Sequence, residues 1–485
     1  MEEREDLKSI LAFLPVVARS WSLFWPSQVV ETLKDLARGP QHSGVNSGEV
    51  LFAAISDLRR SLSLSSSHPL TPCAADGYAL FFDEIMPREE SGKWFGEVVP
   101  ALANLLLRLP SLLQVHYQNA DGLINGLNTA LRLLDSQQPG LVFLSQELIS
   151  ALLGCSLFCL FPVIDRSAKH LPTINFDHLF DALYDSHNQK QESKIWCIIH
   201  YFEKITSRMP TGFVSFERKV LPLEQTPLRI SYPKAEFWSN SVIPLCRFEV
   251  HRSGLIEDQS SGALEVDFAN KYIGGGALHR GCVQWCRYAS SFRFSGDYVD
   301  ERDADSFGRR KTRIIAIDAL CSPGMKQYKQ ELILRETNKA FCGFLHQSKY
   351  QEYSRLVREN ERLNRDSAMI QSLDYVDDIG IATGNWGCGA FGGDPEVKAI
   401  VQWLAASQAR RPFISYYTFG MKALENLDRV SRWIQLHQWT VGDLWDLLVD
   451  YSLQRLKGET NDGFFTWLLP SLLASDTEML DLPDD

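Results

Sequence analysis

The stretch Gly384–Ser407, GNWGCGAFGGDPEVKAIVQWLAAS, is the part of the sequence that says most about the fold. Five of its first eleven residues are glycine, and they lead into Asp394 and Pro395, typical N-cap and first-turn residues of a helix. Glycines ahead of a helix N-terminus leave backbone N–H groups open, and the helix dipole adds positive charge there. The stretch therefore predicts an anion-binding loop followed by a helix over Pro395–Ser407. It is neither a Walker A loop nor a GxGxxG dinucleotide loop.

Short runs typical of buried strands lie on both sides of this stretch. They are Ala263–Ala269, Arg313–Ala319 and Phe413–Thr418, each bounded by glycine, proline or polar clusters. Helical patterns lie between them. This alternation predicts an α/β unit, a sheet with helices on both faces.

A second glycine cluster, Gly274–Gly276, follows the first candidate strand. Glycine allows positive φ and close approach of a ligand, so the cluster is either a tight turn or a phosphate-binding loop. Two amide-rich loops in one α/β unit favour a ligand with a diphosphate. Aromatic residues near the loops offer candidate stacking faces for a base or ribose, although most are expected in the core: Phe268, Tyr272, Tyr288, Trp386, Phe391 and Phe419.

The first half of the chain repeats apolar residues at helical spacing, for example in Pro100–Leu113, Asp121–Leu134 and Gln146–Leu160. The proline-rich segment Pro222–Pro233 is typical of a connector. The pattern predicts three parts: a helical accessory domain over residues 1–235, an α/β domain over residues 236–470 with a polar insertion near residues 346–374, and an acidic tail over residues 471–485.

Composition excludes several classes of protein. The 485 residues carry a formal charge of −11, which argues against a protein that coats nucleic acid through bulk electrostatics. The most apolar segment, Leu148–Phe161, is shorter than the roughly 20 residues of a membrane span and predicts a buried helix. The acidic N-terminal residues are not the pattern of a secretory signal, and no export is expected. Ten scattered cysteines fit a reducing compartment, and their spacing makes a zinc site improbable. No cofactor is expected.

Several motifs together resemble the poly(ADP-ribose) glycohydrolases of the large eukaryotic type. They are VDFANKYIGGG (Val266–Gly276), RIIAIDAL (Arg313–Leu320), GNWGCGAFGGD (Gly384–Asp394) and YYTFG (Tyr416–Gly420). The resemblance implies a macrodomain-like mixed sheet flanked by helices, preceded by an all-helical accessory domain. It also implies hydrolysis of ribose–ribose glycosidic bonds, with poly(ADP-ribose) or ADP-ribose on modified proteins as the partner. A role in the DNA damage response, in the nucleus or cytoplasm, without direct nucleic-acid or membrane binding, is the accompanying expectation.

The resemblance also implies roles for individual residues. Ile256 and Glu257 would contact the adenine. Asp267, the remaining candidate catalytic residue, and Asn270 would lie near the distal ribose and the reacting centre. The diphosphate would lie on two loops, formed by Gly274, Gly275 and Gly276 and by Asn385, Trp386, Gly387, Cys388, Gly389 and Ala390. Phe419 would stack near the ligand, Tyr288 matches a ligand-contacting tyrosine, and Gln284 would begin the family's Gln-Glu-Glu signature.

The sequence departs from the family at this signature. Trp285, Cys286 and Arg287 follow Gln284, so both family glutamates are absent. The next residues, Tyr288–Phe294, are similar to a family segment that normally comes well after the glutamates. We interpret Gln284–Tyr288 as a junction, made by a skipped exon, an erroneous gene model or a true deletion.

This departure leaves several functional readings open. The first is a poly(ADP-ribose) glycohydrolase impaired by the loss of its acid/base, and the second is an inactive ADP-ribose-binding module. The third is that the deletion leaves the sheet misfolded, and the fourth and weaker one is a signalling or scaffold role of the helical half alone. Cys286 as a substitute nucleophile is disfavoured because no histidine is placed to activate it. The basic residues Arg309–Lys311 and Arg313 either meet polymer phosphates or are ordinary solvated charges.

Overall fold

The chain forms two compact units in a computed structural model. One unit comprises Met1–Arg218 and Gly274–Lys311, and the other comprises Lys219–Ile273 and Thr312–Asp485. The structure describes residues 4–19, 22–64, 69–123, 127–135, 137–162, 174–221, 224–226, 229–231, 233–256, 262–281, 300–345 and 379–470. The predictions for Glu257, for Gln284–Tyr288 including Trp285 and Cys286, for the insertion near 346–374 and for the tail 471–485 lie outside the described residues.

Helices build most of the first unit, around one apolar core. Their bounds are α1 Glu5–Leu11, α2 Ser27–Ala37, α3 Pro40–Ser43, α4 Gly48–Ser61, α5 Ala74–Ala79, α6 Arg88–Lys93, α7 Val99–Leu107, α8 Leu109–Asn119, α9 Gln146–Leu157, α10 Asp177–Asp185 and α11 Gln189–Ser207, with π-helical turns at Leu80–Ile85 and Trp94–Val98. Two antiparallel pairs join them, β1 (Val17–Arg19) with β2 (Ser22–Phe24) and β3 (Gly140–Ser145) with β4 (Phe213–Arg218). The pairing of β4 with β3 keeps the chain in this unit up to Arg218.

Most of the apolar segment Leu148–Phe161 lies in α9, which ends at Leu157 and whose N-cap Ser145 accepts a hydrogen bond from the Leu148 N–H. Within the described residues, no single helix has the length and apolar composition needed to cross a membrane. One bent helix pair, Arg88–Leu107 with Leu109–Asn119, meets those two criteria.

The prediction of a helix over Asp121–Leu134 is wrong for the residues of this segment that the structure describes. Residues 121–123 and 127–134 contain no helix. Thr129 donates both its backbone N–H and its hydroxyl to the carbonyl of Ala120, and the Asn128 side chain accepts from the Ala130 N–H. Such side-chain bonds to nearby backbone compete with helix formation.

A five-stranded sheet forms the centre of the second unit. Its strands are β7 (Arg247–His251), β8 (Ala263–Ala269), β9 (Ile314–Asp318), β10 (Gly380–Gly384) and β11 (Phe413–Tyr417), in the order β7-β11-β10-β8-β9. Every pairing among these described strands is parallel, where the resemblance implied a mixed sheet. A two-stranded antiparallel pair, β5 (Glu224–Thr226) with β6 (Arg229–Ser231), lies in the proline-rich connector.

Helices of the second unit enclose this sheet in an apolar core rich in tryptophan. They are α12 (Ala235–Ser239), α13 (Gln330–Phe344), α14 (Pro395–Gln408), α15 (Leu427–Leu436) and α16 (Val441–Lys457), with 3-10 turns at Gly324–Tyr328 and Lys422–Leu424 and a helical segment over residues 464–470. α14 begins as predicted, because the Asp394 carboxylate accepts the N–H groups of Glu396 and Val397. Such a covered parallel sheet is the α/β arrangement expected from the sequence.

Candidate functional site

Most of the predicted site residues in the second unit follow the carboxyl ends of neighbouring strands. Asn270 comes directly after β8, Asn385–Ala390 after β10 and Phe419 shortly after β11, and Ile256 lies in the segment after β7. The chain runs from β8 outward to β9 and from β10 outward to β11 on the other side, so the strand order reverses between β8 and β10. In parallel sheets, ligands bind outside the carboxyl ends of strands at such a point.

The loop after β10 presents open backbone amides. Three hydrogen bonds shape it: Cys388 N–H to Asn385 O at 3.0 Å, Gly392 N–H to Gly389 O at 3.0 Å, and Gly393 N–H to Gly387 O at 2.9 Å. Four other amides of the loop donate to no acceptor within the described part of the chain, those of Gly387, Gly389, Ala390 and Phe391. Gly389 and Ala390 are exposed. The loop therefore offers several N–H donors to an anion at the N-terminus of α14.

Side chains at the start of this loop tie it to the sheet. The Asn385 amide donates to Thr418 O at 3.0 Å, and the Tyr416 hydroxyl donates to Asn385 Oδ1 at 3.3 Å. The Trp386 indole is fully buried and its N–H donates to Ile317 O at 3.0 Å. Burial raises the pKa of Cys388 to about 12, which keeps its thiol neutral. The backbone N–H groups of Trp386 and Cys388 already donate, to Gly384 O at 2.7 Å and to Asn385 O at 3.0 Å, so neither is open to a diphosphate, and the Trp386 ring belongs to the core.

Asp267, on β8, is a buried carboxyl with an unmet hydrogen-bonding atom. The residue is 7% exposed, and its Oδ1 has no hydrogen-bond partner within the described residues. Burial raises the pKa of Asp267 to about 6. Buried polar groups are normally paired, so an unpaired carboxyl oxygen next to the strand-order reversal marks a candidate contact for a polar ligand group.

An apolar and aromatic patch is formed by residues that follow β7 and β11. Ile256 packs on the small cluster of Ala263, Ala382 and Tyr417, and the Phe419 ring lies 6.5 Å from that of Tyr417. Phe419 adopts the left-handed conformation at φ +51° and is 50% exposed. A bulky residue in this conformation is strained by roughly 1–2 kcal/mol, and such strain tends to occur at functional positions.

The residues just before the glycine cluster Gly274–Gly276, and the cluster itself, are also folded into turns. The Asn270 side chain accepts the Tyr272 N–H at 3.2 Å. In the first unit, Gly274 and Gly275 have φ of +87° and +50°, and Gly281 N–H donates to Gly276 O at 3.0 Å. The amides of Gly275 and Gly276 have no acceptor in the parts of the chain that the structure describes. Glycine is therefore required by the turn, and its amides are open.

Lys194 on α11 holds the end of this second glycine loop. Its buried ammonium donates to His279 O at 2.7 Å and to Gly281 O at 2.6 Å. Sequence reasoning missed Lys194, because a lysine in a long helix is normally a solvated residue.

Comparison with known proteins identifies the family. The description "Poly (ADP-ribose) glycohydrolase (PARG), Macro domain fold" matches residues 235–286 and 285–426, and "Poly (ADP-ribose) glycohydrolase (PARG), helical domain" matches residues 86–218. Poly(ADP-ribose) glycohydrolase 1 of Arabidopsis thaliana is 52% identical, over 98% of this chain and 99% of its own length. The chain belongs to the poly(ADP-ribose) glycohydrolase family.

Two further relatives match the chain to different extents. The probable poly(ADP-ribose) glycohydrolase 2 of Arabidopsis thaliana is 51% identical over 97% of this chain and 100% of its own length. Poly(ADP-ribose) glycohydrolase 1 of Caenorhabditis elegans is 27% identical over 47% of this chain and 31% of its own length. Family membership confirms the helical domain and the macrodomain fold expected from the motifs.

The basic run before β9 is largely occupied by local partners. Arg309 pairs with Asp305 at 2.7 Å, and its guanidinium lies 4.7 Å from the centroid of the Phe143 ring. Lys311 approaches Asp303 at 3.5 Å. These contacts favour the reading of the run as local ion pairs in a poly(ADP-ribose) glycohydrolase fold. Within the described residues no cluster of three or more His, Cys, Asp or Glu side chains has the geometry to hold a metal ion.

Proposed function

We propose that this chain is a poly(ADP-ribose) glycohydrolase by descent that binds the terminal ADP-ribose of the polymer but hydrolyses the ribose–ribose bond poorly or not at all. The observation that carries the proposal is the sequence Trp285-Cys286-Arg287 after Gln284, where the family has its two glutamates. Family membership supports the substrate class, and the sequence at the signature supports the loss of activity.

The chemistry of the replacements explains the impairment. Cleaving the glycosidic bond needs an acid that protonates the departing oxygen and then a base that activates water. A tryptophan side chain has no group that titrates near neutral pH, and a thiol with an ordinary pKa of about 8.5 is a poor substitute for a carboxyl. Loss of general acid–base catalysis alone typically costs a factor of about 10² to 10⁴ in rate.

The comparisons support a missing segment at this position. The macrodomain match comes in two pieces that meet at residues 285 and 286. The alignment with poly(ADP-ribose) glycohydrolase 1 of Arabidopsis runs over 553 positions, whereas the chain has 485 residues, so at least 68 aligned positions have no counterpart here. The junction inferred from the sequence and the break in the match coincide.

The residues at the carboxyl ends of the strands in the second unit support the proposal that ADP-ribose binding is retained. The open amides of Gly387, Gly389, Ala390 and Phe391 suit a diphosphate, and Ile256 and Phe419 lie beside Tyr417 as an apolar surface for a base. Asp267 offers a polar contact. These features favour a second candidate function. If the chain does not hydrolyse the polymer, it would act as an ADP-ribose-binding module.

Two measurements test the proposal. Release of ADP-ribose from automodified polymerase is measured for this chain and for the Arabidopsis poly(ADP-ribose) glycohydrolase 1 as the active control, and calorimetry measures ADP-ribose binding. We expect binding heat with turnover at least about 10²-fold below the control. Turnover equal to the control would show that the glutamate pair is dispensable. Absence of any heat would reject the binding function.

The origin of the junction has its own test. Sequencing the transcript across the codons for Gln284 to Tyr288 shows whether a longer message exists. A message that encodes Gln-Glu-Glu would make the gene that of an active poly(ADP-ribose) glycohydrolase and this chain a shortened product of it. Nucleus and cytoplasm both stay proposed locations, to be resolved by imaging the tagged chain.

A further inference from the structure

Helix α14 directs three polar side chains toward the loop after β10. Asp394, Lys398 and Gln402 follow one another at intervals of four residues and so share one face of the helix. Asp394 caps the helix, and the Gln402 amide donates to Gly384 O at 3.1 Å. The middle residue, Lys398, is 4% exposed. A lysine this deeply buried needs a reason, because moving its charge out of water is costly.

The loop closes around the Lys398 side chain. A Cβ atom placed on Gly387 would lie 3.4 Å from Lys398 Nζ, and one placed on Gly393 would lie 3.1 Å from Lys398 Cε. The hydrogen bond from Gly393 N–H to Gly387 O joins the two ends of the loop at this point. The ammonium also lies 4.1 Å from the centroid of the Trp386 ring, a cation–π contact. Lys398 is therefore the side chain against which both ends of the loop rest.

Glu336 of α13 is the counter-charge of Lys398. The two side chains form a buried ion pair, and the same carboxylate also contacts Arg335 and accepts the Leu320 N–H at 3.3 Å. A buried ion pair is seldom the most stable way to fill such a space, because apolar side chains of similar volume often do as well or better. Its presence beneath a loop of open amides points to a use other than packing.

We propose that Lys398 is a positioning residue for the loop Asn385–Gly393, held in place by Glu336, and that its ammonium favours anion binding at the loop's open amides. The inference rests on the proposed binding of an ADP-ribose diphosphate and names the charge that supports it. The side chain stays beneath the loop and orders the N–H donors before the ligand arrives. Burial lowers the pKa of Lys398 to about 7, and an anion at the loop's amides would favour the charged form of the side chain through the thin layer of backbone.

Three variants separate this role from packing. Lys398→Met keeps the approximate volume and removes the charge, but it leaves Glu336 buried without its partner. The double variant Lys398→Met with Glu336→Leu removes both charges and restores an apolar contact, so it should fold even where the single variant does not. Lys326→Met, which changes an exposed lysine in the same unit, is the matched control.

Two readouts are applied to each variant, hydrogen exchange of the loop amides in the free protein and calorimetry with ADP-ribose. We expect the bonded amides of Cys388, Gly392 and Gly393 to exchange at least about tenfold faster in the double variant. Its ADP-ribose dissociation constant should rise at least about tenfold, because the loop amides are less ordered and the buried positive charge is absent. The Lys326→Met control should match the wild type.

The outcomes are distinct. A double variant with the exchange rates and affinity of the wild type would reduce the ion pair to packing and overturn the inference. If the wild type itself gives no heat with ADP-ribose, the proposed binding function fails. In that case the exchange rates of the free protein still decide whether Lys398 positions the loop.

Discussion

Adding one methyl group at Gly387 should lower stability, whereas adding one at Gly389 should weaken binding and leave stability unchanged, although both positions lie in the loop after β10. Gly387 has φ +76°, and a Cβ there would lie 2.5 Å from the Cβ of Ala319. Gly389 has no heavy atom within 4 Å of an added Cβ, and its backbone lies outside the left-handed region. The loop thus contains both a glycine required by the fold and a matched glycine that the fold does not require.

The magnitude for Gly387→Ala follows from two costs. A left-handed conformation costs a non-glycine residue roughly 1–2 kcal/mol. Forcing extra atoms into a packed contact costs about 1–3 kcal/mol, while the stiffer unfolded chain returns roughly 0.4–1 kcal/mol. We therefore expect the free energy of unfolding of the second unit to fall by about 1–4.5 kcal/mol in Gly387→Ala. For Gly389→Ala we expect a change within about 0.5 kcal/mol.

At Gly389 the added methyl group should affect the affinity for ADP-ribose rather than stability. The Gly389 and Ala390 amides are exposed and open, so a methyl group at Gly389 would stand where an anion approaches. We expect Gly389→Ala to weaken ADP-ribose binding at least about tenfold with the fold intact.

Denaturant titration followed by tryptophan fluorescence measures the stability of each variant, and calorimetry measures its affinity for ADP-ribose. Equal losses of stability in the two variants would refute the packing argument. Unchanged affinity in Gly389→Ala would refute the amide cradle.

Two carboxyl groups give further predictions. Burial raises the pKa of Asp267 from 3.8 to about 6, so the folded chain binds more protons than the unfolded chain between those values and stability falls as pH rises through them. Asp267→Asn should therefore stabilise the protein on the order of 2 kcal/mol at pH 7 and hardly at all at pH 4, as thermal melts at the two values would show. Asp394→Ala removes the acceptor of the Glu396 and Val397 N–H groups and of the Tyr328 hydroxyl, and should cost about 1–2 kcal/mol in denaturant titrations. A stability equal to that of the wild type would contradict the capping role of Asp394.

The parts of the fold that could be predicted from the sequence are those with a strong local signal. β8, β9 and β11 are short β-branched or aromatic runs, and α14 has an Asp cap with Pro at its first position. β10 reads Gly-Ile-Ala-Thr-Gly, too small and glycine-rich for a strand by propensity, yet it is buried between two neighbours. The parallel order of the strands depends on long-range pairing, which no local pattern contains.

Only part of the candidate site could likewise be predicted from the sequence. The open amides were predictable because glycine spacing before a helix N-terminus is a local pattern. The unpaired oxygen of Asp267 and the Lys398–Glu336 pair were not, because they depend on burial and on residues distant in the sequence. The helical interval from Asp394 to Lys398 and Gln402 was the one signal available, since it places all three on one face of α14.

In the proposed function, the residues for binding and the residues for chemistry come from different stretches of this chain, so that one could be lost without the other. The loop after β10, its supporting helix α14 and the aromatic residues after β11 all lie more than ninety residues beyond the junction at Gln284–Tyr288. The family glutamates would have stood at the junction itself. A net charge of −11 does not oppose the binding of an anion here, because capture would rest on backbone amides and one buried lysine rather than on the total of surface charges. A chain that lacks the family segment at this junction should keep the residues of its second unit that recognise ADP-ribose. It should lose the general acid that hydrolysis needs.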